Sequence, residues 1–267
     1  MRTRLISAAV GIPIVVLALW GGVWGVGILG VLSGVLAGRE LGLMAAGAAG
    51  PMAAIARSSI RRLSNVTTWP VLAITIAIVL DMDLWSPFLI GIGLLTAAFA
   101  AWAAVGRGAR FAVAALYFGL ALAHGPLLTT LSDSTAWLTV AIFGTFAVDT
   151  SAFIVGLSVG RRRMAPSISP RKTWEGAAGG LLGGVGAVIG LAAAFDLGLP
   201  VWQAGGVGLA VAFVGMSGDL YESWLKRSAG VKDSGGLIPG HGGILDRIDS
   251  LAPNLVTVYW LAIWSGA

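Results

Sequence analysis

The chain has 267 residues, 57% of them hydrophobic and 11% charged, with 40 glycines, 11 tryptophans, no cysteine and a formal net charge of +5. An average soluble domain carries roughly 25% charged residues, and the mean hydropathy here is +0.89, so there is too little charge to clothe a water-exposed surface. These figures exclude a disordered chain, a disulfide-stapled secreted scaffold and a nucleic-acid-binding module, and they point to a polytopic membrane protein with short loops.

Arg2 and Arg4 precede an apolar run that ends at Trp20, as in a signal peptide. No small-residue cleavage site follows and the next apolar stretch begins almost at once, so the run reads as an uncleaved first span. Apolar runs between polar breaks predict about nine spans, near 5–20, 22–46, 68–82, 85–105, 111–131, 135–159, 176–196, 200–221 and 250–266. The expected fold is therefore all-α, a polytopic integral membrane helical bundle. Residues 1–134 would form N-terminal transmembrane helices, and 135–267 a catalytic transmembrane region with two cytoplasmic motif segments. With the N-terminus inside, the segments 50–67, 106–110, 160–175 and 222–249 share one side, and every Lys and Arg falls in or beside them. The opposite turns hold Asp81, Asp83, Asp133 and Asp196 and no basic residue. That asymmetry assigns the basic side to the cytoplasm.

Within the second span, Gly25, Gly27 and Gly30 imitate a dinucleotide fingerprint, but there is no strand beside them. Arg39 and Glu40 near its end read as an interfacial pair. Asn65-Val-Thr67 matches a glycosylation acceptor but lies on the cytoplasmic side. Asp149 sits deep in the sixth span, where a carboxylate must face a partner or a polar cavity. In the seventh, Gly176, Gly180 and Gly184 recur every four residues, as do Gly179 with Gly183 and Gly186 with Gly190. Such ridges let helices approach closely in lipid, so this span is expected in the interior of the bundle.

Two cytoplasmic segments break the pattern of short turns. The first, Arg161 to Glu175, contains Ser169-Pro170-Arg171-Lys172-Thr173-Trp174-Glu175-Gly176. The second, Gly218 to Asp249, places Asp219, Glu222 and Lys226 on one face of a helix, with Asp246 and Asp249 also i, i+3 neighbours. Between these acids lie Lys232-Asp233-Ser234-Gly235-Gly236 and Pro239-Gly240-His241-Gly242-Gly243. Glycine-rich backbone admits a phosphate closely and offers amide donors. Lys and Arg supply fixed positive charge, and carboxylates without thiolates suit a hard ion such as Mg²⁺. Together they read as a metal–polyphosphate site at the membrane surface. The structural alternative has Asp219 and Asp249 as salt-bridge partners of Lys226 and Arg247, and His241 as a plain loop residue.

Ser223-Trp-Leu-Lys226-Arg227, Lys232-Asp233-Ser234-Gly235 and Pro239-Gly240-His241-Gly242-Gly243-Ile-Leu-Asp246-Arg247-Ile-Asp249 resemble the signature of the phosphatidate cytidylyltransferases, or CDP-diacylglycerol synthases. The Ser-Pro-Arg-Lys-Thr-Trp-Glu-Gly stretch is similar to that family's other cytoplasmic motif, and Asp149-Thr-Ser-Ala-Phe, with Gly156 and Gly160, to the stretch preceding it. The likeness covers roughly residues 145 to 250; it departs at Gly236, where a more varied residue is expected, and at Phe153, where Tyr is common. The resemblance implies that CTP and phosphatidic acid react to CDP-diacylglycerol and pyrophosphate with Mg²⁺, at the cytoplasmic face of the inner membrane, in a homodimer. It implies Asp219 and Asp246 as metal ligands supported by Asp249 and Asp149, with Lys172 and Lys226 joining Asp219 and Asp246 as catalytic. Ser169, Arg171, Thr173, Arg227, Lys232, Asp233, His241 and Arg247 would hold substrate. Two other readings stand beside it: the same transfer onto another lipid phosphate, and a transporter whose Asp149 and Asp219 bind a cation.

Overall fold

A computed structural model describes residues 11, 13–47, 53–80, 109–237 and 242–266. Residues 13–20 are helical, and the elements that follow are α1 (Gly22–Ala46), α2 (Ala53–Val79), α3 (Ala109–Leu128), α4 (Ser134–Val159), β1 (Arg163–Ala165), β2 (Ser169–Thr173), α5 (Trp174–Ala194), α6 (Val201–Ser228), α7 (Leu245–Ile248) and α8 (Leu251–Ser265). Among the described residues, six helices are long and apolar enough to cross a membrane. The all-α membrane architecture is as expected. The count of nine is not reached among the described residues: the span at 85–105 and part of that at 5–20 lie outside them, and α8 has only 15 residues.

The chain divides into two compact units. The first takes the described residues up to Thr130 together with Leu225–Ile248. Here α1 packs along α2 through small residues. A Cβ on Gly34 would lie 2.9 Å from the Thr67 carbonyl oxygen, and one on Gly38 or Gly42 would run into the backbone of Ser64 or Ile60. Ser64 and Thr67 hydroxyls donate to the carbonyls of Val35 (3.2 Å) and Gly34 (2.5 Å), the polar stitching expected where apolar packing competes with lipid. Phe111, Phe118 and Leu128 of α3 are buried with Leu41 of α1 and Val66 and Val71 of α2. Helix α1 stops at Gly47, whose φ of 63° a side chain would resist and whose N–H donates to Met44 O.

The second unit is Leu131–Trp224 with the described residues from Asp249 onward. Helix α5 lies against α4, with Gly176 facing the Ala152 carbonyl, Gly179 facing Val155, and Gly183 facing Ser151. Gly184 meets Gly208 of α6. The glycine ridge thus packs from 176 to 184, but Gly186 and Gly190 face open space, and Leu182 is 75% exposed. The helix presents one packed face and is not interior along its length. Asn254 of α8 is fully buried and donates through Nδ2 to Thr145 Oγ1 of α4 at 2.9 Å.

Two further features differ from the expectation. Helix α2 begins at Ala53, well before the predicted start at 68, because backbone hydrogen bonding closes locally and tolerates Arg61 and Arg62 on an exposed turn. Arg161–Glu175 contains an antiparallel hairpin pairing Arg163 with Thr173 and Ala165 with Ser169. Its register shifts within β2, where Pro170 has no N–H to give a ladder.

Candidate active site

In the second unit the two motif segments meet. Thr173 ends β2 and caps α5, its Oγ1 accepting from Gly176 N–H at 3.1 Å. Glu175 in the next turn accepts from the amides of Arg161 and Arg162 at 3.1 Å each, so the hairpin's entry and exit are tied together. This framing directs Lys172 at α6, where its Nζ lies 2.6 Å from Asp219 Oδ2. Asp219 Oδ1 accepts from Ser223 Oγ at 3.3 Å. Each Asp219 oxygen therefore has one protein donor and a lone pair to spare, and its side chain is 30% exposed. The Asp249 backbone packs on Gly218, where a Cβ would collide with the Asp249 carbonyl; Asp249 Oδ1 accepts from Ser250 N–H at 2.7 Å.

The first unit holds the second cluster. Lys226 Nζ donates to Asp246 Oδ1 at 2.5 Å. Asp246 Oδ2 accepts from Ser234 N–H (3.1 Å) and Gly243 N–H (2.8 Å), and the Ser234 Oγ lies 3.0 Å away. Burial pushes the Asp246 carboxyl up, but the Lys226 hydrogen bond and charge and the Gly243 and Ser234 amides outweigh it and hold the group below its ordinary value. Gly242, at φ +81°, makes the turn that brings these amides round, and a Cβ there would lie 2.5 Å from Asp246 Oδ2. Arg110 Nη2 donates to Ser228 O at 3.0 Å, and Arg227 Nη1 to Val231 O at 3.0 Å, fixing the chain after α6.

The expected residues are thus placed as follows. Asp219 pairs with Lys172 and Lys226 with Asp246, so the structural alternative of Lys226 with Asp219 is replaced by a different pairing. Arg171, Lys232, Asp233 and Arg247 are exposed, Ser169 is partly so, and Asp149 lies on an open face of α4. His241 lies outside the described residues. Among the described residues no three Asp, Glu or His side chains gather closely enough to hold a metal ion, so the four expected aspartates form no ready-made cage. The donor chemistry suits a hard cation at Asp219, which keeps lone pairs, while Asp246 Oδ2 already accepts two backbone amides beside the Ser234 hydroxyl. Sequence reasoning missed Glu40 and the hydroxyl of Ser234. Glu40 is 4% exposed, far from the interfacial pair expected with Arg39, and the missed signal was a single acid set in an apolar run between Gly38 and Gly42.

The family model described as the cytidylyltransferase family matches residues 2–264. The chain belongs to this family. Relatives within it include the phosphatidate cytidylyltransferases of Mycobacterium bovis, 36% identical over 56% of this chain and 48% of the relative, and of Synechocystis sp., 43% identical over 52% and 44%. That of Staphylococcus aureus is 41% identical over 45% of this chain and 46% of the relative. The chain thus spans under half the length of each of these three relatives.

Proposed function

We propose that this chain is a phosphatidate cytidylyltransferase. A phosphate oxygen of phosphatidic acid attacks the α-phosphorus of CTP. The bond from that phosphorus to the oxygen bridging the β-phosphate breaks, and pyrophosphate leaves with the electron pair. A phosphomonoester's second pKa is about 6, so the attacking group is already an anion and needs no general base. The protein has to hold two anions in line and offset the charge that grows on the leaving group.

The observation that carries this reading is the Lys172–Asp219 ion pair, which joins the two motif segments. A lysine held in place by a carboxylate is a fixed phosphate-binding cation, and Lys226 on Asp246 is a second. Asp219, with Asp249 beside Gly218, is the pair suited to Mg²⁺, which when bound supplies positive charge to the CTP phosphates. Asp246 serves instead to hold Lys226. Assembly as a homodimer and a cytoplasmic site belong to the same proposal; the first rests on the family resemblance and the second on the one-sided distribution of Lys and Arg.

Purified protein in mixed micelles, given CTP labelled in its α-phosphate, tests the reading. Label is expected in the organic phase with phosphatidic acid and not without lipid. Equal labelling of a prenyl phosphate would replace the lipid assignment, and no labelling with any lipid phosphate would overturn the activity.

A further inference from the structure

Glu40 is a carboxylate buried in an apolar helix, and ionised groups are taken out of water only where partners compensate them. Three donors converge on it from the Leu225–Ile248 segment. Ser234 Oγ donates to Oε2 at 2.7 Å, Leu245 N–H to Oε2 at 3.0 Å, and Ile244 N–H to Oε1 at 2.8 Å. The same Ser234 hydroxyl lies 3.0 Å from Asp246 Oδ2, and Asp246 Oδ1 holds Lys226 at 2.5 Å. A continuous line of contacts therefore runs from Glu40 through Ser234 and Asp246 to the Lys226 ammonium. The loop is shaped to admit the carboxylate: a Cβ on Gly243 would collide with Glu40 Oε2 and Ser234 Oγ, and one on Gly235 would lie 2.9 Å from Glu40 Oε1.

We infer that Glu40 is a positioning residue of the nucleotide-phosphate site, setting the place of Lys226 through Ser234, Asp246 and the amides of residues 244 and 245. This rests on the reading of Lys226 as a phosphate-holding cation. Glutamate is specified over glutamine because all three partners donate, and an amide must turn its NH₂ toward at least one of them. Lys226 is thereby placed on the CTP phosphates and not on the lipid phosphate, and separate KM values for the two substrates decide it.

The test is steady-state kinetics of the full-length protein in mixed micelles, with CTP and phosphatidic acid varied separately. Glu40→Gln is expected to raise KM for CTP about fivefold, the scale of one hydrogen bond, while KM for the lipid stays within about twofold. Lys226→Ala should raise KM for CTP as well, and adding Glu40→Gln to it should raise KM no further. A fall in kcat alone, with both KM values unchanged, would mean Glu40 only holds the fold, and would overturn the inference; so would multiplicative effects in the double variant. Full activity in Lys226→Ala would sink the phosphate reading itself, whereas a defective Lys226→Ala beside an unchanged Glu40→Gln would sink the relay alone. If Glu40→Gln does not fold, Ser234→Ala carries the same measurement: it removes the bridging hydroxyl and leaves the amide bonds to Glu40. A raised KM for CTP supports the relay, and an unchanged one overturns it.

Discussion

Lys172 and Asp219 are only partly buried, at 22% and 30% exposure, so their attraction contributes at most about 1 kcal/mol to stability. Their loss should therefore be felt in turnover far more than in folding. Lys172→Ala is expected to lower kcat/KM by roughly 10- to 100-fold, the loss of one charge-assisted phosphate contact. Asp219→Asn should lower turnover at least ~100-fold, with little rescue by excess Mg²⁺. Thermal denaturation in detergent should barely move for either variant, and activity falling only in step with unfolded protein would return both residues to a structural role. Asp246 behaves differently, because its carboxyl is held below the ordinary range in the folded protein. A group shifted this way stabilises the native state above its unfolded pKa of about 3.9 and ceases to do so as pH falls through the folded value. Melting curves across pH 3 to 6 should show a steeper acid loss in the wild type than in Asp246→Asn. Parallel pH profiles would contradict the depressed value.

At the scale of helices, the α1–α2 contact is made by Gly34, Gly38 and Gly42 meeting backbone directly. Gly38→Val should force the two helices apart and destabilise the protein by about 1–3 kcal/mol, as overpacking does. Gly186→Ala faces open space and should be neutral or stabilising by up to about 1 kcal/mol. Thermal melts of the two variants in one detergent make the comparison. The same elements explain what could be read from the sequence. Spans expected at 135–159, 176–196 and 111–131 fall within about three residues of α4, α5 and α3, because a helix facing lipid is written as one continuous apolar run. The start of α2 and the hairpin at Arg163–Thr173 were not legible, since polar residues continue a helix as readily as they end one, and a two-stranded pairing depends on residues that hydropathy does not distinguish. The motif residues were all visible, but their partners were not. Whether Asp219 meets Lys172 or Lys226 is decided by where β2 enters α5, and Glu40 reaches Ser234 across 194 positions of chain.

For the molecule as a whole, all 17 Lys and Arg fall on one side if the apolar runs alternate as drawn. In this cysteine-free chain, Ser134→Cys and Ser167→Cys report on opposite sides to an impermeant thiol reagent. Ser167→Cys in the hairpin turn should react only from the cytoplasm and Ser134→Cys only from outside. The reverse pattern would invert the topology. Helix α6 adds a constraint of length. Its 28 residues rise about 42 Å at 1.5 Å each, against a hydrocarbon layer of about 30 Å, so Asp219 to Ser228 stand clear of the oil only while the layer stays thin. Longer acyl chains would thicken that layer until it laps over the charged turns, and the helix could answer only by tilting. Turnover per folded molecule is expected to fall as vesicles are made from progressively longer lipids. Under the proposed activity, such a protein would sense the thickness of the membrane that its own product goes on to build.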